Sequence, residues 1–166
     1  MFNLCQYIGS KINIFKGARM ELSKTDLKLI QILQGNSRLS YHQISKRAGV
    51  SVATVMKHVQ QLEKNGIIKR YVAMLDYDKL GYDVCVIVDI RISKGKLLLM
   101  EKKICTHPNV SAVYDKTGQF DITVIAKFKS TVAMDKFLKL IQSYEFVERT
   151  ETKLILHTMK EEEIRI

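Results

Sequence analysis

The apolar residues of this chain change their period at Ile67. Before it they recur every three or four positions. After it, two long stretches alternate strictly. A 3.6-residue period fits a helix with one buried face, and a two-residue period fits a strand with one buried face. The chain must therefore join a helical part to a sheet.

The helical part reads as three helices. Ser23 and Asp26 suit a first N-terminus, with acid where the helix dipole favours it. Leu27, Ile30 and Leu33, with Ile32, form the expected apolar stripe, and Gly35-Asn36 stops it. Ser40 is expected to cap a second helix with Ile44 and Ala48 inward. Gly49 follows where a sharp turn needs a permissive backbone. Ser51 is expected to cap a third helix carrying Val52, Val55, Val59 and Leu62 on one face, with Asn65-Gly66 ending it.

Beyond it, IIKRYVAMLDY predicts a linking strand, and 79–82 a turn. DVCVIVDIRIS places Val84, Val86, Val88, Ile90 and Ile92 on one side; FDITVIAKF does the same for Phe120, Ile122, Val124, Ala126 and Phe128. Between and after them come a helix over KGKLLLMEKKICTH, closed by Pro108, a short strand NVSAVYD, a helix TVAMDKFLKLIQS with Val132, Phe137, Leu140 and Ile141 as its core face, and a long strand VERTETKLILHTM. The order β-α-β-β-α-β is ferredoxin-like: an antiparallel sheet with two helices on one face. The expected class is α+β, a winged-helix-like helix-turn-helix domain followed by that sheet domain. The expected divisions are an N-terminal extension 1–19, a helix-turn-helix domain 20–70, a linking strand and hinge 71–82, a sheet domain 83–161 and a tail 162–166.

Charge narrows the partners. Residues 1–78 carry twelve basic and five acidic side chains; residues 79–166 carry fifteen and twelve. A basic front half points to a polyanion. Cys5, Cys85 and Cys105 are far apart and odd in number, so neither a disulfide framework nor a metal site is expected, and a reducing cytoplasm fits. No apolar run approaches the ~20 residues that span a bilayer. Met20 opens a natural-looking start, so residues 1–19 read as an extension from a misassigned start codon. The alternative is a basic arm with Lys11, Lys16 and Arg19.

The third helix decides what the front half can do. With Val55, Val59 and Leu62 inward, Ala53, Lys57, Gln60, Gln61 and Lys64 point outward, with Thr54 and Met56 on the flanks. A helix enters the major groove when its outer face is polar and small enough to approach. Ala53 and Thr54 suit thymine methyls, Lys57 reaches guanine or phosphate, and Gln61 can bond adenine if the angle allows. The N–H groups at 51–53 can hold a phosphate. His58 lies just beyond the buried edge. Arg38, Lys69 and Arg70 complete the candidate DNA-contacting set with Ser51, Ala53, Thr54, Lys57, His58 and Gln61. A solvated helical corner would show the same turn.

The stretch from Glu21 to Tyr82 resembles the helix-turn-helix of the Lrp/AsnC family of transcription regulators. The likeness is carried by Leu22, Asp26, Ile30, Leu33, the NSRLS of 36–40, Ile44, Gly49, Ser51, Val55, Leu62, Gly66-Ile67-Ile68 and Tyr71. The remainder resembles that family's ligand-sensing RAM domain, through His107-Pro108-Asn109-Val110, Thr117-Gly118-Gln119-Phe120-Asp121 and Glu148-Arg149-Thr150-Glu151-Thr152. The sequence departs from the family at His58, where Arg is usual, at Arg70, where a small residue is common, and at Lys153, where relatives often place an apolar or aromatic side chain.

The resemblance implies a homodimer through the sheet, with tetramers or octamers among the expected assemblies, on double-stranded palindromic DNA. It also implies an amino-acid effector bound near Thr117, Gly118, Gln119, Phe120, Asp121, Thr150 and Thr152. Gly118 would let N–H groups meet a carboxylate, and Asp121 would accept from an ammonium group. Asp121 in a hairpin turn could equally serve as a cap. No cofactor, catalytic residue or membrane partner is expected. Two other readings stay open. One is an enzyme on this scaffold, as in sirohaem decarboxylases, for which the second half offers only His107 and His157 with Arg91, Arg149 and Arg165. The other is a non-specific architectural DNA-binding protein.

Overall fold

The computed structural model describes residues 21–93 and 95–166. The segment 1–19, with its three candidate phosphate-binding cations, lies outside the described residues. The chain divides into two compact units. One holds the described residues through Met74 together with Glu161–Ile166; the other is Leu75–Lys160.

Three helices build the first unit: α1 (Lys24–Gly35), α2 (Tyr41–Ala48) and α3 (Val52–Lys64). Each starts on a serine. Ser23 accepts the Asp26 N–H while Asp26 accepts the Ser23 N–H, and Ser40 and Gln43 repeat the exchange. Ser51 accepts the Thr54 N–H. Such caps satisfy amides that a helix start leaves unpaired. Gly49 ends α2 at φ +73, a left-handed turn that a side chain would strain. The core is Leu29, Ile44, Ala48, Val55 and Val59. Leu29 is fully buried, whereas Leu27, expected on the inner face, is half-buried. Residues 161–166 belong to this unit: the Gln34 side-chain amide donates to the Ile164 carbonyl at 2.8 Å and accepts the Ile166 N–H at 3.1 Å.

The strand predicted over 67–77 does not form, and no wing strand is present among the described residues. The Ile67 and Ile68 N–H groups turn back to the Leu62 carbonyl, at 2.9 and 3.2 Å, and close the end of α3. With its first amides used there, the segment has no ladder to join, and a strand without a neighbour does not pair its backbone. The turn beyond it does form, through Leu80 and Tyr82 N–H groups bonded to the Tyr77 carbonyl.

The second unit is β1 (Val84–Ile92), α4 (Leu97–Ile104), β2 (Val110–Asp115), β3 (Ile122–Phe128), α5 (Thr131–Gln142) and β4 (Val147–Ile155). The strands lie in the order β2-β3-β1-β4, every pair antiparallel. Val84, Val86, Val88, Ile90 and Ile92 share a core with Ile122, Val124, Ala126 and Phe128, and with Met100, Ile104, Phe137 and Ile141 from the two helices. Alternation thus assigns both central strands correctly. It misplaces two residues of α5: Val132 and Leu140 are 63% and 45% exposed, and Ala133, Met134 and Leu138 pack inward instead. One residue of offset turns a helical side chain by about 100°, enough to leave the core face.

The opposite sheet face carries the other half of each strand. Cys85, Ile87, Asp89 and Arg91 stand beside Thr123, Ile125 and Lys127 on one side and Arg149, Glu151, Lys153 and Ile155 on the other.

Candidate nucleic-acid interface and effector hairpin

On α3, Ala53, Met56, Lys57, Gln60, Gln61 and Lys64 are exposed, while Val55, Val59 and Leu62 are buried. The Ser51 and Thr54 hydroxyls share a hydrogen bond of 2.8 Å at the start of the helix. Both of these candidate contacts therefore also hold the cap. Arg38 is exposed, and its N–H is bonded to Asn36 Oδ1 at 2.9 Å, which shapes the turn before α2. Lys69 and Arg70 are exposed after α3. On α2, His42, Lys46 and Arg47 are exposed as well. Sequence pattern alone does not single out these side chains; the position of Lys46-Arg47 in the last turn of a short helix is the available signal.

His58 is placed differently from the other candidates. Its Nδ1 lies 2.7 Å from Asp26 Oδ1, tying α3 to α1. Burial works to raise the Asp26 pKa, but hydrogen bonds from Ser23 and His58 outweigh it and hold the carboxyl below its ordinary value. The imidazole therefore braces α3 against α1 through Nδ1, while the His58 side chain stays part-exposed beside the other candidates. Tyr71 makes a comparable tie: its hydroxyl donates to Glu63 at 2.8 Å, and burial with the Glu63 charge pushes its pKa up to about 12.

The β2–β3 hairpin is closed by the Lys116 N–H on the Asp121 carbonyl at 2.9 Å. Gly118 sits at φ +121, and a Cβ there would meet open space, so conformation and not crowding demands the glycine. Thr117 and Gln119 are exposed and Phe120 is buried. Asp121 Oδ2 accepts the Ile92 N–H at 2.9 Å, beside the irregularity where the β1–β4 register shifts. Asp121 is therefore a backbone cap, the alternative role open to it in the sequence. Thr150 and Thr152 pair with Ile90 and Val88 and so lie on the helix side of β4. Thr150 accepts from Gln142 Nε2 at 3.1 Å. Strand β1 stands between β4 and the hairpin, so one chain does not bring all seven effector candidates together.

The centre of the open face holds a buried acid that the sequence pattern alone does not single out. Asp89 is 4% exposed, yet it accepts from Thr123 Oγ1 at 2.5 Å, from Lys153 Nζ at 2.8 Å and from Lys116. Burial works to raise its pKa; the hydrogen bonds from Lys116, Lys153 and Thr123 outweigh it and hold the carboxyl well below the usual range. Lys153 also reaches Glu151 at 3.2 Å. A single acid within an apolar alternating strand was the signal. Its partners lie 27, 34 and 64 residues away, so pattern alone does not name them.

Residues 22–69 match the family described as winged helix-turn-helix DNA-binding, and residues 85–164 match the Lrp/AsnC ligand binding domain. An uncharacterized HTH-type transcriptional regulator of Pyrococcus furiosus is 38% identical over 143 residues, covering 86% of this chain and 97% of that one. The chain belongs to the Lrp/AsnC family of transcription regulators. The HTH-type transcriptional regulator FL11 of Pyrococcus horikoshii is 32% identical over 143 residues, 86% of this chain and 95% of that one. Among solved structures, AsnC of E. coli superposes with a TM-score of 0.83 at 26% identity, covering 89% of this chain and 100% of that one. A transcriptional regulator of Neisseria meningitidis, solved as a complex with L-Met, gives 0.77 at 26% identity over 86% and 94%.

As an Lrp/AsnC regulator, the protein is a DNA-binding transcription regulator with an effector-domain fold. Two residues that the enzymatic reading would gather stand apart. The His107 ring packs 4.7 Å from that of Phe137, in the helix-side core, while the Arg149 guanidinium lies over Phe120 at 5.6 Å. No described helix is long and apolar enough to cross a membrane.

Proposed function

We propose that this Lrp/AsnC regulator acts in the cytoplasm as a homodimer that reads a palindromic operator with α3 and responds to an amino-acid effector at the β2–β3 hairpin. The observation that carries the reading is the outer face of α3: small at Ala53, cationic at exposed Lys57, and started on the Ser51 cap. Lys57 and Gln61 contact base edges. Ser51, Thr54 and the helix N-terminus hold a phosphate. Arg38, Lys69 and Arg70 neutralise flanking phosphates. His58 acts from within, by fixing α3 against α1. Two such readers double the contacts and set half-sites about 34 Å apart.

The open sheet face is the place for the second copy. Ile87, Ile125 and Ile155 are half-buried on it, and the charge at its centre is already compensated. The Neisseria relative's complex with L-Met supports an effector of amino-acid class. Effector binding then alters operator affinity through coupling between distinct sites.

Lys57→Ala tests the DNA reading. Loss of one base contact costs about 1–3 kcal/mol on the operator, roughly 5- to 150-fold, and much less on random DNA. Equal losses on both would make Lys57 a phosphate contact and favour the architectural alternative, which also predicts a steep salt slope without sequence preference.

A further inference from the structure

The contact between His58 and Asp26 fixes which nitrogen of the ring carries hydrogen. Asp26 Oδ2 accepts the Ser23 N–H at 2.9 Å and the Ser23 hydroxyl at 2.6 Å, while Oδ1 lies 2.7 Å from His58 Nδ1. Burial works to raise the carboxyl's pKa, but the bonds from Ser23 and His58 hold it below its ordinary value, so it is ionised at neutral pH. An ionised carboxylate only accepts, and Nδ1 must therefore donate. A neutral ring then keeps a bare lone pair on Nε2. Nε2 gains an N–H only when the ring takes up a proton.

Nε2 is open to a partner. The His58 side chain is 29% exposed, and among the described residues its ring is hydrogen-bonded to Asp26 alone. No buried side-chain nitrogen or oxygen among them lacks a partner, so the unbonded Nε2 reaches solvent. Thr54 lies four residues before His58 and Gln61 three after it, so the three share one edge of α3. That edge borders the face proposed above to enter the groove. A side chain at the border of an inserted helix meets the groove wall, where the phosphates are. Helices α1 and α2 both pack on α3. Of their charged and titratable groups, Asp26 bonds the ring; Lys24 and Lys28 on α1 and His42, Lys46 and Arg47 on α2 are exposed and do not, and Lys57 is the adjacent cation on α3.

We propose that His58, with Asp26 as its positioning residue, is a proton-dependent phosphate contact: Nε2 donates to a DNA phosphate oxygen only after the ring has taken a proton from solvent. The inference rests on α3 being the DNA-facing helix and adds the regulation of that surface by pH. The bound ring stands between two anions, the Asp26 carboxylate and the phosphate, and each favours its charged form. Binding takes up a proton, so affinity rises as pH falls. Asp26→Asn inverts the arrangement. The Ser23 donors need an acceptor, so the Asn oxygen turns to them and its amide nitrogen donates to Nδ1. The neutral ring then carries hydrogen on Nε2 and meets the phosphate without a proton.

The test is fluorescence anisotropy of the full chain on a random-sequence duplex, because a phosphate contact does not depend on sequence. Between about pH 8.5 and about pH 6.5, wild type is expected to gain about tenfold in affinity relative to His58→Gln, which shares its other titrating groups. Its log–log salt slope should steepen by about 0.9 over the same range, the value of one phosphate contact. Asp26→Asn should lose the pH-dependent gain yet bind at the higher pH at least as tightly as wild type. Nitrogen NMR of the neutral ring should find hydrogen on Nδ1 in wild type and on Nε2 in Asp26→Asn. Melts without DNA verify that the variants fold. Equal pH dependence in wild type and His58→Gln overturns the proposal. So does an affinity that falls with pH relative to His58→Gln, which would make Nε2 an acceptor from a base. A gain retained in full by Asp26→Asn overturns the role of Asp26. Gln61→Glu sets a negative charge on the same helix and should weaken binding at both pH values. If it does so while wild type shows no gain, this inference alone fails; if it has no effect, the DNA reading of α3 fails with it.

Discussion

Replacing Asp89 by Asn keeps the side-chain volume and removes one charge from the centre of the open face. The folded protein gives that carboxylate three donors and 4% exposure. Asn can still accept from one of them, but its amide nitrogen then faces an ammonium group, donor against donor. A hydrogen bond to a charged group contributes about 1.5–3 kcal/mol, and two of the three are of that kind. The full sum does not apply, because the Lys116 and Lys153 side chains are 35% and 54% exposed and can turn to water once released. The expected loss is about 2–3 kcal/mol at pH 7, with a fall in melting temperature of roughly 10–20 °C for a unit of this size. Hydrogen exchange at Val86 and Val88 isolates the sheet from the helical unit.

The acid limb gives a second reading of the same interaction. Burial opposes the Asp89 charge and the three donors more than offset it, so the folded pKa lies below the unfolded one. The stability linked to it is present above the unfolded value of about 4 and is lost as pH falls through the folded value. The gap between wild type and Asp89→Asn should be constant from pH 5 to 8 and should close below pH 4. Replacing all three residues, as Asp89→Leu with Lys116→Met and Lys153→Met, should recover most of the loss, since a well-packed apolar substitute usually matches a buried ionic group. Equal stability of wild type and Asp89→Asn at pH 7, or a gap that persists unchanged to pH 2, would refute the reasoning.

Two further outcomes are expected. Ile125→Glu sets a charge on the open face and should convert the proposed dimer to a monomer in sedimentation with the sheet still folded; an unchanged mass would refute the open face as the interface. Asp26→Ala removes half of a capping box and the His58 tie, at a cost of about 1–3 kcal/mol to the helical unit at pH 7. Because the Asp26 pKa is lowered in the fold, that cost should shrink as pH drops below about 4; urea midpoints at pH 7 and pH 3 measure both.

The legible parts of this chain were the local ones. Ser23, Ser40 and Ser51 announce helix starts because a cap spans only three residues, and Val84 to Ile92 announces a strand because alternation is a property of the strand itself. Val132 and Leu140 mislead because an apolar residue type does not fix its angle on the helix. The segment 67–77 misled because β-prone residues say nothing about whether a neighbouring strand exists. The same limit governs the sites. Ala53 and Lys57 follow from a helical wheel, whereas the His58–Asp26 tie joins residues 32 apart, and the Asp89 network requires strand register.

The serine starts of the three helices have a bearing on how an operator is met. Each helix of the reading unit is closed at its origin by its own side chains, without help from a phosphate. The ordering entropy of α3 is therefore lost during folding and is not subtracted from affinity for DNA. A head completed in advance needs no search for shape after contact, so encounter and charge govern how quickly it settles on its site.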